Sequence, residues 1–280
     1  MGTFCRLLLV IGAVFEVLTL TVSGHADPQG DIHPIVRVEN GCFAVYFCSS
    51  TSEIEADETL KEKSLAFRMV FSTTGRLLAP RHRVTGDEYR GVGKNGFKKG
   101  SVTGLLTPGF EIVGEKGTSA SYSLPLMDGF GTLQPWSTVS TAEGIGVTAV
   151  ALDSPDKLRA DAEEYLFFWY PFALDESPTR VEIGLPIYIY TFPRASNAVF
   201  AGGRFWIAFM SQGAKLLMWS WKPGEEKPRT KILEDSPYHW NCHLSLAAIG
   251  NRLCLAYHCA TAHGAYGRKA RIFTVFEKVE

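Results

Sequence analysis

An excess of charge of either sign is missing from this chain. Its 280 residues carry 28 Lys+Arg against 29 Asp+Glu, a formal net charge of -1. There is no basic field to gather nucleic acid, and no arginine-rich segment with interleaved aromatics, so no nucleic-acid partner is expected. The six cysteines form no CxxC pair and no zinc-ribbon spacing, which removes the thiol-based metal and redox motifs. No Asn-x-Ser/Thr acceptor occurs, so N-glycosylation is not expected. A nucleophile elbow, a P-loop, a dinucleotide fingerprint and a zinc-protease motif are all lacking. The glycine-rich run from Gly91 to Gly96 precedes no helix that would aim amides at a phosphate, and it reads as a hairpin. This inventory calls for no cofactor and no metal. Helical periodicity is also scarce: only Ile54–Lys63 and Pro155–Glu164 are helix-like, both charged and both lying between strand-like runs.

The chain does have an unusual beginning. Met1 to Arg6 brings one positive charge, Leu7 to Val22 is apolar apart from polar interruptions such as Glu16, and Ser23-Gly-His-Ala26 offers small residues to a signal peptidase. Residues 1–26 read as a signal peptide cleaved after Ala26, with residues 27–280 as one domain, secreted or periplasmic. The alternative is an uncleaved anchor. No other stretch is long enough to span a bilayer, so no membrane association is expected after cleavage. Export permits disulfides. The five cysteines that follow (Cys42, Cys48, Cys242, Cys254 and Cys259) are odd in number, so at least one is unpaired or intermolecular.

With 46% hydrophobic and 12% aromatic residues, the rest reads as short β-branched and aromatic strands divided by turns. Five turns share one context, each following an apolar strand and opening another: Asn40-Gly41, Asn95-Gly96, Glu143-Gly144, Gly202-Gly203 and Gly250-Asn251. Asn-Gly, Gly-Gly and Gly-Asn suit two-residue hairpins, whose backbone passes through positive φ. Third strands follow at Leu65–Phe71, Tyr165–Tyr170, Lys215–Trp221 and Ala270–Phe276, and fourth strands at Leu77–Val84, Thr179–Gly184 and Arg229–Leu233. Four antiparallel strands recurring at about fifty residues mark propeller blades. The pattern resembles the β-propeller superfamily over residues 33 to 280, without Trp-Asp, kelch or sialidase signatures. The resemblance implies an all-β fold, a single propeller of five blades around a central channel. A β-sandwich of similar length is the competing architecture.

A two-residue turn fixes strand register. With Gly250-Asn251 as the turn, Leu246 faces Leu255, Leu244 faces Tyr257, His243 faces His258, and Cys242 faces Cys259. The cysteine pair admits a disulfide or two packed thiols. The histidine pair admits a metal if an adjoining blade adds a ligand; otherwise it is a hydrogen-bonded pair at a strand end.

In a propeller the first strand of each blade lines the channel. Seven residues before the five turns stand His33, Glu88, Trp136, Ala195 and His243, with Arg194 beside Ala195. His33, Glu88, Trp136, Arg194, His243 and His258 are therefore the candidate ligand-binding residues. An indole that stacks on a sugar face, beside groups that bond hydroxyls, suits a carbohydrate or another polar ligand. The alternatives are a protein-binding or purely structural propeller, and a glycoside hydrolase. A hydrolase needs two carboxylates, for which Asp31, Asp87 or Glu88, and Asp235 are the candidates. Whether a reaction is catalysed stays open at this level. A monomer is expected.

Overall fold

The structure is a computed structural model. It describes residues 18–20, 31–49, 65–86, 88–89, 97–98, 109–113, 119–123, 133–152, 164–172, 178–183, 195–211, 215–235, 239–261 and 271–279. These residues form five antiparallel sheets. The first sheet contains β2 (Asp31–Glu39), β3 (Cys42–Ser49), β4 (Leu65–Phe71) and β5 (Leu77–Val84) in chain order. The second contains β6 (Phe97–Lys98), β7 (Gly109–Val113) and β8 (Ser119–Ser123). The third contains β9 (Leu133–Ser140), β10 (Ile145–Leu152), β11 (Glu164–Phe172) and β12 (Thr179–Glu182). The fourth contains β13 (Val199–Ala201), β14 (Arg204–Met210), β15 (Lys215–Trp221) and β16 (Arg229–Asp235). The fifth contains β17 (His239–Ile249), β18 (Arg252–Thr261) and β19 (Arg271–Lys278), with β1 (Leu18–Leu20) added outside β19. No helix is long and apolar enough, among the described residues, to cross a membrane.

Strands that are apolar at every position must be covered on both faces, and side-chain alternation shows by what. On β18, Leu253, Leu255 and Tyr257 pack against the fourth sheet, while Cys254 and Ala256 pack against the first. On β14, Phe205, Ile207 and Phe209 face the third sheet, while Ala208 and Met210 face the fifth. On β3, Phe43, Val45 and Phe47 meet Ala247, Cys254 and Phe276 of the fifth sheet, and Ala44, Tyr46 and Cys48 fill a separate cluster on the other face. The third, fourth, fifth and first sheets thus stack in cyclic order, and the last sheet packs on the first. The molecule is a five-bladed β-propeller. Each fully buried Phe of these seams contributes roughly 1.5–3 kcal/mol relative to exposure.

The first strands converge on the axis, and one repeated device joins them. Ser137 Oγ on β9 accepts from Ala198 N (3.0 Å), just before β13. Asn197 Oδ1 accepts from Leu246 N (3.1 Å), and its Nδ2 donates to Leu246 O (2.9 Å) on β17. Ser245 Oγ on β17 accepts from Val36 N (2.9 Å) on β2. In register terms Ser137, Asn197 and Ser245 take one level of their strands, and Ala198, Leu246 and Val36 the next. A polar side chain near the axis therefore caps a backbone amide of the following blade at three successive seams.

The expected turns at Asn40-Gly41, Gly202-Gly203 and Gly250-Asn251 are two-residue hairpins, with Glu39 opposite Cys42, Ala201 opposite Arg204 and Ile249 opposite Arg252. Asn40 and Gly41 both have positive φ (49° and 72°), as this turn type demands. The Glu143-Gly144 expectation needs correction. The connection is the four-residue loop Thr141–Gly144, because Ser140 pairs with Ile145 and Thr141 N donates to Gly144 O (2.9 Å). Asn95-Gly96 lies outside the described residues, and Phe97–Lys98 pairs with β7 as an edge strand. The helix-like readings at Ile54–Lys63 and Pro155–Glu163 also fall outside them, and Glu164 opens β11.

Candidate functional site

Four of the five first strands carry the same irregularity near the rim where they begin. On β2, Ile35 faces Tyr46 but Ile32 faces Cys48, so His33 and Pro34 share one partner position. On β9, Ser137 faces Thr148 and Pro135 faces Ala149, leaving Trp136 as the extra residue. Ahead of β13, Ala195 bridges Phe209 while Val199 faces Trp206, which again inserts one residue. On β17, Ser245 faces Ala256 and Cys242 faces His258, so His243 and Leu244 share one position. Each insertion adjoins the level of Ser137, Asn197 and Ser245. A bulge adds a residue to one strand, bends it and re-aims side chains, and bulges gather at barrel rims beside active sites.

The bulge corrects the expected register. Cys242 and Cys259 do not face each other: Cys242 faces His258 and Asn241 faces Cys259. The physical cause is His243, whose φ of 50° lies in the left-handed region and advances the strand by one residue. The side chains of Cys242 and Cys259 lie outside the described residues. Among the described cysteines, Cys42, Cys48 and Cys254 are free thiols. Burial pushes the Cys48 thiol up to about 11 and raises Cys254 as well, so neither is a ready nucleophile.

His243 and His258 come together although they are not register partners. Their rings stack with centroids 5.8 Å apart and planes inclined by 29°, and both are buried. His258 continues the Cys254–Ala256 row, so it belongs to the seam with the first sheet.

The remaining candidates are placed as follows. His33 sits in the β2 bulge, at the level that His243 holds on β17. Trp136 lies in the β9 bulge but one level further on, at the level that Pro34 and Leu244 hold on their own strands, because the four-residue loop shifts the count; Pro135 takes the level of His33. Arg194 lies outside the described residues, next to buried Ala195. Glu88 is not on a first strand. It follows β5 in a single helical turn where Thr85 N and Oγ1 donate to its carboxylate (2.7 and 2.9 Å) and its own N–H donates to Thr85 Oγ1 (3.1 Å). These bonds from Thr85 hold its carboxyl below the usual range. The Thr-x-x-Glu spacing of a capping box was the signal for this in the sequence. Asp235 ends β16 and pairs with Lys215 at 3.0 Å, and Asp87 lies outside the described residues.

Sequence reasoning missed Ser137, Asn197, Ser245 and Thr148. Thr148 is fully buried beside Ser137, accepting from its N–H (3.0 Å) and donating to its carbonyl (3.1 Å). Ser137 and Ser245 on first strands, Asn197 just ahead of one and Thr148 on β10 opposite Ser137 are small polar residues set in apolar runs, the pattern that would have pointed to them.

No protein-family model and no curated protein sequence matches the chain. Among solved structures, it is similar to a Dyadobacter fermentans protein of unknown function (9% identity, 95% of this chain and 99% of that one, TM-score 0.38). It is also similar to the catalytic domain of a Coprinopsis cinerea GH62 α-L-arabinofuranosidase (11% identity, 91% and 93%, TM-score 0.36). A third likeness is the Podospora anserina α-L-arabinofuranosidase in complex with cellotriose (9% identity, 93% and 94%, TM-score 0.36).

Proposed function

We propose that the chain is an exported propeller that binds a carbohydrate, or a similarly hydroxyl-rich ligand, where its first strands converge. The observation behind this reading is the bulge repeated at one level in four blades. By backbone register His33, Trp136, Ala195 and His243 belong to these insertions, near the ends of their first strands. An indole and imidazoles on strands fixed to one another would offer a ligand a stacking surface and hydrogen-bonding groups. A hydrolase would need a carboxylate pair. Asp31 opens β2, but Glu88 is committed to its capping box, so among the described residues Asp31 has no expected carboxylate partner on another first strand.

A glycan array probed with wild type and with Trp136→Ala tests the binding. Retention by the wild type, weakened at least tenfold in the variant, is expected; a wild type that retains no glycan overturns the reading. Export implies processing after Ala26, which would release β1 and leave β19 as the outer edge of its sheet. An intact mass beginning at Asp27 is expected for the secreted protein, and one that retains Leu18–Leu20 contradicts the cleavage.

A further inference from the structure

The formal net charge of -1 conceals one lopsided strand. From Leu65 to Gly86 the chain carries four arginines and a histidine, and no Asp or Glu. Arg68 of this run is paired with Glu39. The other three arginines and His82 lie on or beside β5, the outer strand of the first sheet. Arg76, His82 and Arg83 are exposed, and neither Arg76 nor Arg83 forms an ion pair among the described residues. The outer strands of the third and fourth sheets differ. β12 sets Arg180 near Glu182, and β16 sets Arg229 and Lys231 against Glu234 and Asp235. Protecting a sheet edge from pairing needs charge but not charge of one sign, so edge protection does not account for β5.

One of these cations is held in place. The Arg81 guanidinium lies over the Phe67 ring, 3.7 Å from its centroid, with the Phe47 ring 5.3 Å away. Arg83 faces Phe67 across the β4–β5 pair, so both side chains start from the same patch of sheet. An arginine seated on an aromatic face is pre-organised, and its fork of N–H donors matches the paired oxygens of a sulfate or carboxylate. Three other anionic partners fit less well. A peptide that adds by backbone pairing meets Pro80, which has no N–H, and a strand with two register shifts. For a bilayer, Leu77 and Leu78 are the only apolar anchors on β5, and at 39% and 45% exposure more than half of each is covered. For a nucleic acid, β5 carries no Phe, Tyr or Trp on which bases would stack.

We propose that β5 binds an anionic polysaccharide, bearing sulfate or uronic carboxylate groups, along the rim of the first blade. Arg81 and Arg83 meet its anionic groups at one end of the strand, and Arg76 extends the track to the other. The surface lies on an outer strand, apart from the channel mouth, and does not depend on the reading proposed for that mouth.

The test is a fluorescence titration of the protein, prepared without a histidine tag, against labelled dextran sulfate and labelled polygalacturonate. Saturable binding of at least one of them is expected, with none of neutral dextran. Affinity should fall at least tenfold in Arg81→Gln/Arg83→Gln. It should fall at least threefold in Arg76→Gln/Arg83→Gln, which leaves the Arg81–Phe67 contact in place. Lys222→Gln/Lys227→Gln removes the same charge from an exposed turn and should bind as wild type does. So should Trp136→Ala, which separates this surface from the channel mouth. Binding of neither acidic polymer overturns the proposal, as does an equal loss in the lysine and arginine variants, which would make the effect one of net charge. Tighter binding of single-stranded DNA or of phosphatidylglycerol vesicles, titrated in the same buffer, would assign the strand to one of those partners instead.

Discussion

Arg204 follows the Gly202-Gly203 hairpin and is buried, with both terminal nitrogens on the Glu225 carboxylate at 2.7 and 2.6 Å. Arg229 adds a bond at 2.9 Å. The Arg204 bonds hold Glu225 down to about 2, well below its ordinary 4.5. A depressed carboxyl stabilises the fold above its unfolded value and loses that contribution as pH falls through its folded value. Glu225→Gln should therefore be less stable than wild type at neutral pH, by roughly 1–2 kcal/mol after solvent screening, because the Arg204 guanidinium loses its counter-charge. The gap should narrow below about pH 4.5 and close near 2, as followed by thermal melts across that window. His243 offers a second test at this scale. Its φ of 50° is one that glycine adopts freely, so His243→Gly should be about 1 kcal/mol more stable than His243→Ala in denaturant titrations. Equal stabilities would mean that the left-handed backbone relaxes once the ring is removed.

The strands were the most legible elements. β4 and β15 match their expected bounds, since seven-residue apolar runs between turn residues leave little choice. Three hairpins were legible because Asn-Gly, Gly-Gly and Gly-Asn report a backbone requirement directly. The bulges were not. A bulge changes no local composition: on β17 it turns on the left-handed backbone of a single residue, His243, whose side chain does not announce it. Counting from Gly250 therefore placed Leu246 opposite Leu255 correctly and missed Cys242 by one residue. Glu88 was misplaced for another reason: the count back from Asn95-Gly96 ran into a Thr-x-x-Glu capping box. The seam bonds themselves can be tested. Ser245→Ala should cost about 1 kcal/mol, whereas Asn197→Ala leaves both the N–H and the C=O of Leu246 unpaired and should cost about 2–3 kcal/mol. Equal losses in chemical denaturation would show that the Asn197 amide contributes no more than a single hydroxyl.

At the scale of the whole molecule, what matters is that the last sheet packs on the first. Cys254 lies in the cluster shared by the last and first sheets and is fully buried. A thiol reagent should reach it only when that seam opens, so its labelling rate in native buffer should equal the global unfolding rate, while partly exposed Cys42 reacts at once. Labelling of Cys254 faster than unfolding would reveal a seam that opens independently. The same closure shapes how the protein comes into being. Phe43, Phe47 and Phe71 are synthesised early, yet the residues that shelter them, Ala247, Cys254 and Phe276, are the last to be made. Until then the newborn first blade presents a greasy sheet to its surroundings, and nothing on the ribosome can complete it locally. Such long-range pairing folds slowly and invites clumping. The chain should therefore rely on holding factors during synthesis, and any product that stops short of the fifth blade should be sticky rather than half-functional.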